Sequence, residues 1–353
     1  MAFTINQADE IHFSVIVNNE VDPISPSPNI KVTYQAFLTG IPLSPLAGND
    51  RDGAVAELRL DSICCGAHGL SLKISIEAGA ETRTLLFDAG PEEDVFEKNV
   101  QRMRLKLDDV EHVHLSHWHR DHSGGLPRAI ELVSNARAKA QKPPVAVEVH
   151  PDRPDYRGMR VNEKIVSMEA DPSFESLSPA NASMTTSSTP HSVLGGHFLV
   201  SGEVPRRTDY ELGIRGGLRY VKEDDRWVED ELIKDERFIV CHLKGRGLVV
   251  FAGCSYPGIV NICRHATELT GGKIPLYAIV GGFHLADGDP IKMRRSLDDL
   301  MALKPRIFMP AHCTGWRFSF MIERELTGSY VPCFGGTTYT LDGEAQSNRV
   351  GIS

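Results

Sequence analysis

The side chains best suited to bind transition metals are concentrated in one short motif, His117-Trp118-His119-Arg120-Asp121-His122. In an extended segment residues two apart face the same way, so His117 and His119 can hold one cation together. Asp121 and His122 follow at a turn into a helix and can reach a second cation. Imidazoles with one carboxylate suit Zn²⁺, Mn²⁺ or Fe²⁺ better than Ca²⁺ or Mg²⁺, which prefer oxygen ligands. We therefore expect two divalent cations, Zn²⁺ first, with Mn²⁺ or Fe²⁺ as alternatives.

The segments around this motif predict the elements that position it. Residues 110–116 alternate as a strand does, and a helix is predicted to begin near His122 and to continue through 127–141. Upstream, the pattern predicts strands over 30–34, 70–76 and 84–88 and a helix over 92–104. The motif therefore lies between a strand and a helix, where a metal site is expected.

Strands and helices alternate in the last third of the chain, which predicts a parallel sheet with helices on its face. The predicted elements are strand 247–252, helix 258–270, strand 276–281, helix 290–303, strand 306–310 and helix 316–326. Chemistry in such units gathers beyond the carboxyl ends of the strands. Cys254, His284 and His312 stand at those ends and are further site candidates.

The middle of the chain differs in composition from the rest. Residues 142–196 carry several prolines and a polar tract at 178–189, and the stretch 223–237 is rich in charge. Such composition is typical of loops and excursions. We expect one domain spanning 1–353, with a lid-like insertion around 142–240.

Charge and cysteine usage narrow the class of protein. The formal net charge is −9, and Lys and Arg are scattered, so we expect no nucleic-acid partner. No apolar run is as long as the roughly 18 residues that a membrane-spanning helix needs. Seven cysteines without a CxxC pair, and no secretory signal pattern, predict a cytoplasmic protein. A homodimer is one option for the oligomeric state.

The order of the motifs resembles the metallo-β-lactamase superfamily. The His-x-His-x-Asp-His motif, Phe87-Asp88-Ala89-Gly90 and Pro310-Ala311-His312 are similar to its metal-binding segments. Further segments resemble one subgroup, the dihydropterin/ribofuranosyl-aminobenzene-phosphate synthases. These segments are His68-Gly69-Leu70-Ser71, Ser201-Gly202-Glu203-Val204-Pro205-Arg206, Gly253-Cys254-Ser255, Gly281-Gly282-Phe283-His284 and His312-Cys313-Thr314-Gly315. The resemblance implies an α/β fold, a four-layer αββα sandwich with the active site at the sheet edge.

The resemblance also assigns roles to the remaining metal candidates. His312 is expected to complete the second metal's shell. Cys254 stands where most members carry a metal-bridging aspartate. It would be either a thiolate ligand or bridge, or an inert buried cysteine. His284 would complete the first metal's shell or act as an acid near it, with His197 as the competing ligand.

Other residues are expected to support or perform the chemistry. Asp88 would steady the ligand loop from behind, and His68 would lie beside it. Asp121 would orient an activated water as well as bind metal, and His284 and Tyr256 are further catalytic candidates. Tyr256 departs from the subgroup, which commonly has a histidine there, and offers a phenol to a developing oxyanion or simply packs.

The resemblance implies a metal-dependent hydrolase that uses a metal-activated hydroxide. We expect the substrate to be a small lactam or lactone, such as a benzoxazolinone-type xenobiotic, in a detoxifying reaction. One alternative is an enzyme acting on a phosphorylated pterin or ribosyl-aminobenzene, with Arg206 and Arg207 binding the phosphate. A metal-binding protein without catalysis is the alternative from another class.

Overall fold

The structure is a computed structural model that describes residues 2–25, 29, 32–34, 43–46, 51–179 and 181–344. Part of the strand predicted over 30–34 and Ala180 of the polar tract lie outside the described residues. Two large β-sheets dominate the described part of the chain. Two smaller sheets accompany them: a four-stranded sheet and the pair Ser44–Pro45 and Ala56–Glu57.

The first sheet contains the strand that leads into the histidine motif. Antiparallel pairing joins most of its N-terminal strands, whereas Glu81–Phe87, His112–His114 and Val145–Val149 pair in parallel. Among the described residues its order across the sheet is Ala182–Thr186, Val145–Val149, His112–His114, Glu81–Phe87, Ser71–Ala78, Glu10–Val17, Thr338–Asp342 and Val32–Tyr34.

The second sheet carries the strands predicted in the last third of the chain. Gly247–Ala252, Leu276–Gly282 and Ile307–Ala311 pair in parallel, as predicted. Among the described residues its order is His191–Val193, Phe198–Val200, Ile239–Leu243, Gly247–Ala252, Leu276–Gly282 and Ile307–Ala311, and Gln7–Ala8 pairs with Ile239–Leu243.

The two sheets pack face to face around a shared apolar core, and helices cover both outer faces. Alternate residues of one strand show this, because Val249 and Phe251 face the other sheet while Val250 faces the outer helices. A strand buried on both faces reads as the continuous apolar run seen at 247–252. The expected four-layer αββα sandwich is confirmed.

The helices cover the sheets as their apolar stripes require. On the first sheet, Phe96 of the helix Glu93–Arg102 and Ile130 of the helix Leu126–Lys139 pack against Val113 and Val147. On the second sheet, apolar residues of the last three helices are buried in the same way. In the described residues the helices are α1 (Glu93–Arg102), α2 (Arg120–Ser123), α3 (Leu126–Lys139), α4 (Ile259–Leu269), α5 (Pro290–Leu303) and α6 (Trp316–Glu325).

The segment 142–240 contributes to both large sheets and forms a third sheet of its own. Val145–Val149 and Ala182–Thr186 belong to the first sheet, and other strands of the segment belong to the second. The remaining strands form a separate antiparallel sheet in the order Lys164–Ser167, Tyr156–Val161, Gly217–Val221 and Arg226–Glu229. Composition alone did not separate these roles, because the sheet strands here are short and flanked by polar turns.

No helix in the described ranges has both the length and the apolar character needed to cross a membrane.

The histidine motif lies beside the residues that follow two strands of the second sheet. His122 contacts Cys254, and Asp121 contacts His312, at the edge of the sandwich where the carboxyl ends of the parallel strands meet.

A buried ion pair joins the two large sheets directly behind the histidine motif. Arg237 lies just before the strand Ile239–Leu243, and its guanidinium donates to the Glu148 carboxylate at 2.5 Å and to the carbonyl of Leu115 at 2.9 Å. Its backbone N–H donates to the carbonyl of Ser116 at 2.9 Å. Both charged side chains are almost completely buried.

We expect Arg237→Met to destabilise the protein strongly, because it would leave the Glu148 carboxylate buried without its main cationic partner. Breaking such a pair costs about 3–5 kcal/mol. The midpoint of urea denaturation should fall clearly. Arg207→Met, which removes an exposed ion pair with Glu268, is the matched control and should change the midpoint little. Equal shifts in the two variants would contradict this role of Arg237.

Candidate metal centre

The loop that carries the histidine motif is fixed from behind by the carboxylate of Asp88. This carboxylate follows the strand Glu81–Phe87, is fully buried, and its residue has a left-handed backbone with φ 58°. It accepts hydrogen bonds from the backbone N–H of Ser116 at 2.7 Å and from its hydroxyl at 2.8 Å. Nδ1 of His122 donates to it at 2.7 Å. Asp88 therefore orients His122 so that Nε2 points towards the sheet edge.

Four side chains converge in front of this loop. Nε2 of His122 lies 3.2 Å from Sγ of Cys254 and 3.7 Å from Oδ2 of Asp121. Nε2 of His312 lies 3.0 Å from the same Asp121 oxygen. The ligand atoms of the four residues all lie within 4.8 Å of one another. Two imidazoles, a thiol and a carboxylate at such spacing fit one four-coordinate Zn²⁺.

The electrostatics of this group favour a positive charge at its centre. Burial disfavours a charged imidazole, yet the carboxylates of Asp121 and Asp88 outweigh it and raise the pKa of His122 to about 9. Burial alone would raise the pKa of Asp121, but His122 and His312 hold it well below its usual range. Burial raises the pKa of the Cys254 thiol, and a bound cation would reverse that effect.

The loop that presents Cys254 is held by a second buried carboxylate, which the sequence analysis missed. Glu236 accepts the backbone N–H groups of Cys254 at 2.9 Å, Ser255 at 2.6 Å and Tyr256 at 2.6 Å. Burial raises the pKa of Glu236 to about 7, although these N–H groups act in the opposite direction. Ser255 has a left-handed backbone with φ 68°, so the turn depends on this external support.

His117 and His119 lie beside this group as a close pair. Nε2 of His117 is 3.1 Å from Nδ1 of His119. Burial, reinforced by positive neighbours, lowers the pKa of His117 well below its usual value and that of His119 to about 3. The ring of Tyr256 contacts both imidazoles, with centroid distances of 5.3 Å and 4.9 Å.

His284 does not join this pair. Its ring packs against the ring of Tyr256, at a centroid distance of 4.4 Å. Among the described residues no ring contact joins His284 to His117 or His119, and His284 belongs to no group of converging ligand atoms. The structure therefore does not bring His284 to the histidine pair as a ligand.

The competing ligand His197 lies elsewhere. Its Nε2 is 3.8 Å from Glu81, at the start of the strand whose other end precedes Asp88. Seven residues of strand span about 20 Å, so His197 cannot complete a shell at this edge. His68 does lie at the site, with its ring 4.7 Å from that of His312 and Nε2 3.9 Å from Asp121, although its side chain is 71% exposed.

A buried arginine and its carboxylate partner also lie beside the histidine pair, and no sequence signal indicates them. Arg157, on the third sheet, donates to Asp235 at 2.5 Å and contacts His119, and Asp235 accepts the backbone N–H of Trp118 at 2.7 Å. Neither residue belongs to a recognisable motif. The charge-rich stretch 223–237 predicts an excursion, whereas the side chains of Asp235, Glu236 and Arg237 at its end are all buried. A run of charges carries no signal of burial, because its partners come from distant parts of the chain.

Comparison with known proteins identifies the family. The family model described as Metallo-beta-lactamase superfamily matches residues 76–312, which include the histidine motif, Cys254 and His312. The chain belongs to the metallo-β-lactamase superfamily. The superfamily assignment predicted from the motifs is confirmed.

Relatives within the superfamily agree with the resemblance to the synthase subgroup. A protein of Methanocaldococcus jannaschii named 7,8-dihydropterin-6-methyl-4-(beta-D-ribofuranosyl)-aminobenzene-5'-phosphate synthase is 25% identical over 76% of this chain and 88% of its own length. An uncharacterised protein of the same organism is 28% identical over 71% of this chain and 85% of its own length. A crystal structure described as a metal-dependent hydrolase of the beta-lactamase superfamily has TM-score 0.63 and 20% identity, covering 93% of this chain and 98% of that one. This structural likeness supports the superfamily fold.

We expect Asp88→Asn to weaken zinc binding by about 10- to 100-fold, because residues that orient metal ligands contribute affinity of this size. The amide would place an N–H group against donors that now point at a carboxylate. Competition with a zinc chelator measures the affinity. Asp109→Asn, which removes a pair with Lys73 away from the site, is the control and should leave affinity unchanged. An unaltered affinity in Asp88→Asn would refute the supporting role.

Proposed function

We propose that this chain is a metal-dependent hydrolase that opens a small lactam or lactone. The observation that supports the proposal is a cavity of about 620 Å³ that opens directly onto Asp121, Cys254 and His312. Cavities of roughly 300–1,000 Å³ are typical of small-molecule sites. A substrate in this cavity would therefore have its reacting bond beside the metal ligands.

The protein groups around the cavity have distinct tasks in such a reaction. A divalent cation bound at the four converging ligands would polarise a carbonyl oxygen and lower the pKa of a water. The side chain of Asp121 is 20% exposed and faces the cavity, so it can accept a proton from an attacking water. Tyr256 and His284 also line the cavity and can donate a hydrogen bond to the substrate.

The outer wall of the cavity favours a substrate with a flat apolar part. Trp316 is 63% exposed at this wall and packs edge to face with the exposed ring of Phe320. Ile214, from the segment next to the third sheet, also lines the cavity. An exposed indole beside a polar site suits an aromatic ring such as that of a benzoxazolinone-type lactam. This supports the xenobiotic proposal.

A second candidate is an enzyme acting on a phosphorylated pterin or ribosyl-aminobenzene. The name of the relative that is 25% identical favours it. Arg206 and Arg207 do not support it, since neither lines the cavity: Arg206 donates to the carbonyl of Leu232, and Arg207 pairs with Glu268. Arg215 does line the cavity and is exposed, which offers a phosphate one cationic contact.

We also propose which partners the enzyme has and where it acts. Its main partner would be a small molecule, it would be cytoplasmic, and it would not bind nucleic acid. The formal net charge of −9 supports the last point, because a nucleic-acid surface requires a basic patch. The homodimer remains a prediction.

A substrate panel tests the proposal. The zinc-loaded chain should hydrolyse an aryl lactone or a benzoxazolinone-type lactam to the ring-opened acid, and chelation should lower the rate by about 10³-fold or more. Cys254→Ser should lose most of the activity, whereas Cys64→Ser, at a distant partly buried cysteine, should keep it. Turnover of phosphate esters alone would favour the second candidate. No turnover despite bound metal would favour a metal-binding protein without catalysis.

Tyr256→Phe separates a hydrogen-bonding role of Tyr256 from a packing role. If the phenol stabilises the oxyanion of the ring-opening step, kcat should fall by about 10²-fold while KM changes little. The phenylalanine ring preserves the contacts with the histidines. Tyr220→Phe, at an exposed hydroxyl bonded to Asp225, is the control. An unchanged kcat in Tyr256→Phe would assign the residue to packing.

A further inference from the structure

One nitrogen of His119 faces a group that can only donate hydrogen bonds. Nη1 of Arg157 lies 3.3 Å from Nε2 of His119. Arg157 is only 2% exposed, and Asp235 fixes its other terminal nitrogen at 2.5 Å. A guanidinium carries five N–H donors and no acceptor. Nε2 of His119 must therefore be the acceptor of this bond.

This contact determines where the proton of His119 sits. A neutral imidazole has one N–H group and one lone pair. With its lone pair at Nε2 turned to Arg157, His119 carries its proton on Nδ1. That N–H group points to Nε2 of His117 at 3.1 Å and donates to it. Nδ1 of His119 then has no lone pair to offer a cation.

The tautomer of His117 is determined in the same way. Because its Nε2 accepts from His119, its proton is on Nδ1, which donates to the hydroxyl of Ser116 at 2.9 Å. That hydroxyl in turn donates to Asp88 at 2.8 Å. Every nitrogen of the two imidazoles is thus used once within a continuous chain of hydrogen bonds that runs from Arg157 to Asp88.

His122 shows the opposite arrangement. Its Nδ1 donates to the Asp88 carboxylate, so Nε2, which lies 3.2 Å from Sγ of Cys254, is the nitrogen whose lone pair a cation would take by displacing its proton. A metal-binding histidine usually donates its other N–H group to a carboxylate or carbonyl, because this raises its basicity. His122 meets this condition. If Nδ1 of His119 bound a metal, its Nε2 would carry the proton and would need a hydrogen-bond acceptor. The group at that position is the Arg157 guanidinium, which only donates.

Among the described residues no third ligand converges with the pair. His197 lies at the far end of the sheet, and the ring of Tyr256 packs against both imidazoles of the pair and against His284. Over the described ranges, the group at this edge whose ligand atoms converge consists of Asp121, His122, Cys254 and His312.

We propose that this chain binds a single divalent cation, at Asp121, His122, Cys254 and His312, and that His117 and His119 form a metal-free hydrogen-bonded pair set by Arg157. The inference rests on the proposed function, since it takes the metal-dependent hydrolase as given. It departs from the two cations predicted from the motif. The guanidinium of Arg157 then supplies a fixed positive charge next to the histidine pair, in place of a second cation.

Metal stoichiometry of the full chain tests the inference. The chain is saturated with Zn²⁺, freed of excess metal by gel filtration, and analysed for zinc per chain. We expect one zinc in the native protein, one in His119→Gln, and less than one-tenth in Cys254→Ser and His312→Ala. His197→Gln, at the far end of the sheet, is the matched control and should keep one zinc.

Nitrogen NMR of the zinc-loaded native protein gives a second readout that needs no destabilising variant. Two-bond ¹H–¹⁵N spectra should show His117 and His119 as Nδ1–H tautomers without a metal-bound nitrogen, and His122 bound through Nε2. Two zinc ions per chain, falling to one in His119→Gln, would overturn the single-cation inference but leave the hydrolase proposal standing. A native protein that retains no zinc would overturn both.

Discussion

The carboxylate of Asp88 is the constraint on which the site depends. It is fully buried, and it binds the backbone and hydroxyl of Ser116 and the imidazole of His122. A buried carboxylate is costly unless its oxygens are hydrogen-bonded, so these contacts are needed for stability as well as for geometry. They connect the end of one strand of the first sheet to the loop that follows its neighbour. The direction of Nε2 of His122, and thus the place at which a metal would bind, follows from this connection.

Three more buried charges around the loop act in the same way. Glu236 holds the turn at Cys254, Asp235 holds the backbone of Trp118 together with Arg157, and Arg237 joins Glu148. These three residues are consecutive, immediately before a strand of the second sheet. One short segment therefore ties the first sheet, the third sheet and the metal-binding loops together.

Much of the fold was predictable from local patterns. The continuous apolar run at 247–252 indicated a strand buried on both faces, and the structure places it in the parallel part of the second sheet. The helices near 258–270 and 290–303 were also predicted, with ends differing by a few residues. The segment 142–240 was harder, because its strands are short and their partners lie far away in the chain. Burial of its charges at 235–237 depends on those partners, and no local pattern encodes them.

The sequence by itself determined the ligand chemistry: a His-x-His-x-Asp-His motif after a strand, and Cys254 and His312 at later strand ends. These follow from strand periodicity and from the rule that parallel strands gather their carboxyl ends at one edge. Only the tertiary structure decided which candidates meet. It excluded His197 from the edge, packed Tyr256 against the histidine pair and against His284, and placed Arg157 against His119. The physical reason is that a histidine's role depends on what its second nitrogen contacts, and that contact comes from a distant segment.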